Sequence, residues 1–123
     1  MLLKKLKARH DAIANTKLPP EAVAKLIRNG ALVVDVRSKI EARIGSVPGA
    51  AKIPLLTLKR RADELPRERN IVLFCGTGAR AGKAKEVLDA GGFKAFNGGS
   101  YKDVLKIVRG IGSTRAAAAG PGR

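Results

Sequence analysis

Two short, continuously apolar segments dominate the hydrophobic pattern of this 123-residue chain. One lies within residues 31–36 and the other within residues 70–74, and both contain valine and leucine among other apolar residues. Such runs are typical of strands that are buried on both faces of a parallel sheet, because no position along the strand faces water. Weaker segments at 51–53 and 94–96 predict two further, shorter strands.

Helical periodicity fills the intervals between these predicted strands, and capping residues mark most of the boundaries. Pro20 and Glu21 suit a first helical turn, since proline has no amide to leave unpaired and the acid complements the helix dipole. Thr57 is predicted to cap the third helix, and Gly98-Gly99 is predicted to form a turn. The first predicted helix opens at Pro19-Pro20-Glu21 and ends at Asn29-Gly30, and the others cover residues 38–43, 57–65, 80–90 and 101–108.

Strands that alternate with helices predict an α/β domain whose central sheet is mostly parallel and is flanked by helices on both faces. We expect this domain to span residues 16–109. Residues 1–15 form a basic segment that could be helical, and the Gly/Ala/Ser-rich composition of residues 110–123 predicts a flexible tail. Ligands of parallel sheets bind beyond the carboxyl ends of the strands, where Asp35 and Arg37 follow the first apolar run.

The chain is strongly basic, with 25 lysines and arginines against 10 acidic residues and a formal net charge of +15. The basic residues are scattered along the whole sequence, which is typical of a solvated surface. Aromatic residues make up 3% of the chain and tryptophan is absent, so a base-stacking platform for single-stranded nucleic acid is disfavoured. We therefore do not expect a nucleic-acid partner.

No apolar run approaches the roughly 18 residues that a membrane-spanning helix requires, so no membrane interaction is expected. The first seven residues are basic but lack a long apolar segment and a small-residue cleavage site. They make a poor secretory signal, and the sequence therefore predicts a cytoplasmic location.

Cys75 is the only cysteine, and it stands directly after the second apolar run. A single thiol excludes an internal disulfide and leaves no second thiol to resolve an oxidised one. A lone cysteine in this position is often just a small buried hydrophobic residue. Here, however, a glycine-rich turn and the start of a helix follow it, and both direct backbone amides toward a negative group. The candidate site comprises Cys75, Gly76, Thr77, Gly78, Ala79 and Arg80.

The length of this loop separates two kinds of chemistry. Cysteine phosphatases use a Cys-x₅-Arg loop to hold a phosphate dianion, but here the corresponding position is Ala81 and the arginine lies one residue earlier. The shorter Cys-x₄-Arg loop favours one additional atom on the sulfur, as in a persulfide. Arg80 adds a permanent cation with a planar set of donors that suits an oxyanion.

Several further segments occur together with this loop, in a specific order and spacing. On these segments the chain resembles a single-domain rhodanese of the small phage-shock type, from about residue 18 to residue 104. They are Val33-Val34-Asp35-Val36-Arg37, Glu41-x₃-Gly45-x-Val47-Pro48-Gly49-Ala50, Cys75-x₂-Gly78-x-Arg80, residues 82–88, and Gly98-Gly99 followed by Lys102-Asp103.

This resemblance implies a sulfurtransferase that moves a sulfane sulfur from thiosulfate or a persulfide donor to cyanide or a thiol acceptor. Cys75 would carry the sulfur as a persulfide, and the amides of Gly76 to Arg80 would stabilise its charge, while Arg80 orients a small anionic donor. Asp35 and Arg37 would fix the loop, or would simply form a structural ion pair. The acceptor would be a thiol or a protein, and no metal or cofactor is implied.

Three residues depart from the pattern of the family that the chain resembles. Ser46 stands where the family commonly has histidine, Ala42 replaces an aromatic residue, and either Tyr101 or no residue stands in for the tryptophan often found after the Gly-Gly pair. Two alternatives to catalysis of this kind stay open. One is a non-catalytic persulfide carrier or protein-binding module, and the other, which loop length and the missing second cysteine disfavour, is a phosphatase or arsenate reductase on the same fold.

Overall fold

Four parallel strands form the central sheet of residues 16–119, the part of the chain that the computed structural model describes. Their spatial order is β2-β1-β3-β4, and every neighbouring pair is parallel. The predicted α/β class is therefore confirmed, whereas the predicted N-terminal segment 1–15 lies outside the described residues. The strands are β1 (Leu32–Asp35), β2 (Ala51–Lys52), β3 (Asn70–Cys75) and β4 (Lys94–Ser100).

Helices cover both faces of the sheet, as the alternating pattern predicts. Within the described residues, α1 packs with α5 on one face, and α3 packs with α4 on the other. None of these helices has the length and apolarity that crossing a bilayer requires. The helices are α1 (Pro20–Arg28), α2 (Lys39–Ile44), α3 (Leu55–Arg61), α4 (Ala79–Ala90) and α5 (Tyr101–Ala119), with a 3₁₀ turn at Ala62–Glu64.

Strand β3 lies at the centre of the core, and its side chains alternate between the two faces of the sheet. Ile71, Leu73 and Cys75 pack on the side of α4, whereas Val72 and Phe74 pack on the side of α1 and α5. All five are fully buried. Because the period of a strand is two residues, this register directs the Cys75 thiol inward, toward the first turns of α4.

The glycine pair at positions 98 and 99 lies inside β4, so the predicted turn at this pair is wrong. The extra residue that β4 carries here is accommodated by a shift of register between Leu73 and Phe74 of β3. A Cβ atom on Gly98 would lie 2.6 Å from Val72 Cγ1. Glycine at this position therefore marks the close approach of the strand to the core.

Helix α3 begins at Leu55 with Pro54 as its N-cap. The predicted cap at Thr57 is wrong, because its Oγ1 donates to the Pro54 carbonyl oxygen at 3.0 Å from inside the helix. The fixed φ of proline already provides the start that the sequence analysis assigned to the threonine.

Helix α5 continues to Ala119, so the predicted end at Val108 is wrong. Residues 110–119 are helical, where the composition predicted a tail without regular structure. Ile111 is only 7% exposed. Burial of this side chain offsets the low helix propensity of the glycine on each side of it.

Candidate active site

The candidate site lies at the carboxyl ends of β1 and β3. Residues 76–78 connect Cys75, the last residue of β3, to α4. The Cys75 side chain is fully buried, whereas Gly76 and Thr77 of the connection are exposed. The structure therefore places the thiol beneath a short surface loop, at the start of a helix, as the sequence pattern predicts.

One backbone amide of the loop reaches the sulfur. The N–H of Gly78 donates to Cys75 Sγ at an N–S distance of 2.9 Å. Gly78 is also the N-cap of α4 and has a φ of 104°, a left-handed conformation that side chains other than glycine rarely adopt. The loop can aim this amide at the sulfur because a glycine occupies the position.

Asn97 of β4, which is not among the site residues predicted from the sequence, holds this loop in place. Its Nδ2 donates to the carbonyl oxygen of Gly78 at 3.0 Å, and its Oδ1 accepts from the N–H of Gly99 at 2.9 Å. The side chain is buried, with 4% exposure. The available signal was an amide side chain beside the apolar positions of β4. A buried amide side chain is usually hydrogen-bonded, so such a residue is expected to hold a neighbouring segment.

Arg80 does not point freely toward the thiol, because its guanidinium pairs with a carboxylate of α2. Its Nη1 and Nη2 donate to the two carboxylate oxygens of Glu41 at 2.7 and 3.0 Å. The bonds from Arg80, followed by the backbone amide of Ser38, lower the pKa of Glu41 to about 2. In the sequence, Glu41 is only a point of resemblance and has no predicted role.

The same pair raises the pKa of Arg80 further above its ordinary value, mainly through the hydrogen bonds to Glu41 and to a smaller extent through nearby Cys75. The helix that carries Glu41 is itself well fixed. Ser38 and Glu41 form a reciprocal capping box at its start, and Ala42 is buried. The ion pair therefore joins the cysteine loop to a rigid short helix.

Asp35 and Arg37 form a buried ion pair at the end of β1. Asp35 is fully buried and accepts from Arg37 Nη2 at 2.9 Å and from the Ser46 hydroxyl at 2.7 Å. The hydrogen bond to Asp35 raises the pKa of Arg37. The Arg37 guanidinium also lies 4.2 Å from the ring centroid of Tyr101 and 5.7 Å from that of Phe74.

These contacts place the pair beside the loop rather than on it. Within the described residues, no hydrogen bond joins Asp35 or Arg37 to residues 75–80, although Phe74 under Arg37 directly precedes the cysteine. Ser46 and Tyr101, two positions that depart from the expected pattern, both contribute to this network.

A pocket of about 340 Å³ lies against the cysteine loop and is lined in part by Thr77, Gly78, Lys83 and Asn97. Cys75 does not line this pocket. The described residues contain no cluster of histidine, cysteine and acidic side chains that could hold a metal ion.

Comparison with known proteins decides the family. The family model that describes the rhodanese-like domain matches residues 19–110 of this chain. The chain belongs to the rhodanese-like family. This confirms the resemblance that the motifs indicated, and the rhodanese-like chain shares its fold with solved members of the family.

Three relatives illustrate the range of the match. A curated sulfurtransferase of Allochromatium vinosum is 36% identical over 53 residues, which are 43% of this chain and only half of that protein. The structure of the rhodanese homolog TT1651 from Thermus thermophilus is 34% identical, with a TM-score of 0.54, and the match covers 68% of this chain and 94% of that one. The human single-domain sulfurtransferase TSTD1 is 28% identical, with a TM-score of 0.57, and the match covers 71% of this chain and 91% of that one.

Proposed function

We propose that this rhodanese-like protein is a sulfurtransferase that carries a sulfane sulfur on Cys75. The observation that carries the proposal is the hydrogen bond from the Gly78 amide to the Cys75 sulfur at the N-terminus of α4. A thiolate or persulfide anion in this position is stabilised by the amide and by the helix dipole. The family to which the chain belongs supports the same chemistry.

The proposed cycle has two displacements. The Cys75 thiolate attacks the outer sulfur of thiosulfate, the S–S bond of thiosulfate breaks, and sulfite leaves with the electron pair. An acceptor then attacks the outer sulfur of the Cys75 persulfide, and Cys75 leaves as a thiolate. With cyanide the product is thiocyanate, and with a thiol it is a new persulfide. Because Cys75 is the only cysteine, the sulfur must pass to another molecule.

In this proposal the remaining loop residues, Gly76 to Arg80, bind the charged sulfur, and Asp35 with Arg37 keeps the end of β1 beside them. The cycle needs a free thiol, which the reducing cytoplasm maintains, and we assign the reaction to that compartment as part of the proposal. A thiol or a protein is the proposed physiological acceptor.

A second candidate is a persulfide carrier that exchanges sulfur with other proteins and turns over thiosulfate poorly. The Arg80–Glu41 pair favours this candidate, because it leaves residues 76–80 without an unpaired cationic side chain. An anionic donor must then compete with Glu41 for the guanidinium. Comparison of loading by thiosulfate and by inorganic polysulfide distinguishes the two candidates, since only the catalytic one should use both efficiently.

The test is the intact mass of the protein after incubation with each donor. We expect the mass to increase by one sulfur atom, the increase to map to Cys75, and the variant Cys75→Ser to show none. An unchanged mass with both donors would refute the proposal. Hydrolysis of an aryl phosphate that requires Cys75 would instead favour the phosphatase alternative.

A further inference from the structure

Three large hydrophobic side chains are exposed among the described residues, two on α2 and one in the first turn of α3. Ile40 and Ile44 on α2 are 72% and 85% exposed, and Leu56 in the first turn of α3 is 98% exposed. Ile40 and Ile44 are four residues apart, so they are neighbours on one face of the helix. Scattered apolar residues are ordinary on a surface, but an adjacent pair on a helix this short is a feature that needs an explanation.

Helix α2 presents this pair in a fixed orientation next to the candidate active site. Glu41, between the two isoleucines in sequence, forms the ion pair with Arg80 of the cysteine loop. Ala42 is buried beneath the helix, with 5% exposure. The isoleucines therefore lie on the solvent side of an element that is bonded directly to the loop that carries Cys75.

A basic pocket borders α2 at Lys39 and Arg43, the residues that directly precede the two isoleucines. Its volume is about 560 Å³, and its lining includes Lys39, Arg43, Lys52 and Arg61 but no carboxylate. Arg61 pairs with Glu64, whereas Lys39, Arg43 and Lys52 have no ion-pair partner within the described residues. An apolar centre with a charged rim is the usual anatomy of a protein interface.

We propose that this surface docks an acidic protein that takes the sulfur from Cys75. We call it the α2 surface and define it by Ile40, Ile44, Lys39, Arg43 and Lys52. Carboxylates of the partner would pair with the three cations, and an apolar side chain would cover the isoleucines. The proposal rests on the proposed function and names the partner of the same site.

Two features favour a protein over a small anion or a nucleic acid. The cations alone would suit any of the three, since a basic surface attracts all anions. The adjacent isoleucines, however, gain nothing from a phosphate group and are stabilised by burial against another apolar surface. The position of the surface beside the cysteine loop matches a partner whose own thiol must reach Cys75.

The transfer itself requires no additional reactant. The thiolate of the docked partner attacks the outer sulfur of the Cys75 persulfide, the S–S bond to Cys75 breaks, and Cys75 leaves as a thiolate. The partner then carries the persulfide, and no net oxidation or reduction takes place.

The experiment uses synthetic peptides of equal length, each with one cysteine and a central leucine, flanked by glutamates or by lysines. Sulfur transfer from the persulfide-loaded protein should be about tenfold faster to the acidic peptide at low ionic strength, and salt should reduce the difference. The variant Arg43→Glu/Lys52→Glu should remove most of this preference. The same charge change at Lys94 and Lys102, across the sheet, is the matched control and should retain it.

A binding measurement separates docking from chemistry. Acidic peptides that carry serine in place of cysteine should bind the unloaded protein, as measured by fluorescence anisotropy, and Ile40→Ser/Ile44→Ser should weaken the binding several-fold. The same double variant should leave transfer to cyanide unchanged. Failure of Cys75 to take up sulfur would refute the proposed sulfurtransferase function, even if the peptides bind.

Equal transfer to acidic and basic peptides would overturn the α2 surface proposal while leaving the proposed function intact. The proposal would also be overturned if both charge variants behaved alike. A third overturning result is an RNA oligonucleotide that binds more tightly than the acidic peptide and loses affinity in the Arg43→Glu/Lys52→Glu variant, which would make the surface a nucleic-acid site.

Discussion

Gly78 determines how the backbone meets the cysteine sulfur. Its φ of 104° aims the amide at Cys75 Sγ, and a Cβ atom in its place would lie 3.4 Å from Gly99 Cα, an ordinary contact distance. A side chain at this position would therefore act mainly through backbone strain rather than through collision. Relief of that strain would turn the amide away from the sulfur.

We predict that Gly78→Ala lowers the free energy of unfolding by about 1–2 kcal/mol, the usual penalty for a left-handed residue with a side chain. Persulfide loading of Cys75 should also slow. Urea titration and time-resolved intact mass measure the two effects. Gly110→Ala in α5 is the control: its Cβ atom would have no neighbour within 4 Å, so it should stabilise the protein by about 0.5–1 kcal/mol. Effects of the same sign at both glycines would contradict this account.

The Glu41–Arg80 pair should make stability depend on pH in a defined window. The pKa of Glu41 is lowered from 4.5 to about 2 in the folded chain, so the stabilisation is complete above pH 4.5 and is lost as the pH falls toward 2. Both side chains are partly exposed, which limits the contribution to at most about 1 kcal/mol. Glu41→Gln should therefore be less stable than the natural chain near neutral pH, and the difference should shrink on acidification.

The measurement is urea unfolding of both proteins at a series of pH values. In a background that carries Arg80→Gln, the effect of Glu41→Gln should be much smaller, because the partner is already absent. A constant difference between pH 7 and pH 2.5 would show that Glu41 stabilises the protein by some other contact.

The sequence predicts the candidate site where its residues are consecutive and misses it where they are distant. Cys75, the loop glycines and Arg80 stand within six positions, so their chemistry can be inferred from order alone. Glu41 lies 39 residues from Arg80, and Asn97 lies 19 residues from Gly78. Only the parallel packing of the strands brings these partners together.

Among the secondary-structure elements, β4 approaches the core closely at Gly98, where the absence of a side chain leaves room for Val72 and Leu73. A Cβ atom there would lie 2.6 Å from Val72 Cγ1 and 3.1 Å from the Leu73 carbonyl oxygen. We predict that Gly98→Ala destabilises the protein by about 1–3 kcal/mol through overpacking. Gly98→Ala/Val72→Ala should be more stable than the sum of the two single effects implies, and strict additivity in urea titrations would refute the proposed collision.

The sequence predicts an element correctly where its pattern has one structural meaning, and it fails where the pattern has two. Apolar runs identify β1 and β3, because burial on both faces makes their central positions continuously apolar, with polar residues only at Asp35 and Asn70. A glycine pair signals either a turn or a close approach, and local sequence does not separate the two. The end of α5 is similarly ambiguous, since Gly110 and Gly112 suggest a break that burial of Ile111 overrides.

In the molecule as a whole, the carboxyl ends of the parallel strands bring the candidate site residues together. The carboxyl end of β3 supplies Cys75, the carboxyl end of β1 supplies the Asp35–Arg37 pair, and α2 connects them through Glu41. The net charge of +15 provides a long-range attraction for acidic partners, and the α2 surface supplies a local site for one. The net charge alone indicates neither where an acidic partner would bind nor what kind of partner it would be.

In the proposed cycle, the persulfide on Cys75 is the intermediate of sulfur transfer. Its most direct test is to load the protein, remove the donor, and mix the purified persulfide with cyanide. We predict one thiocyanate for each persulfide lost, with return of Cys75 to the free thiol. A persulfide that stays on Cys75 while cyanide remains unreacted, or thiocyanate formed equally by Cys75→Ser, would contradict the account.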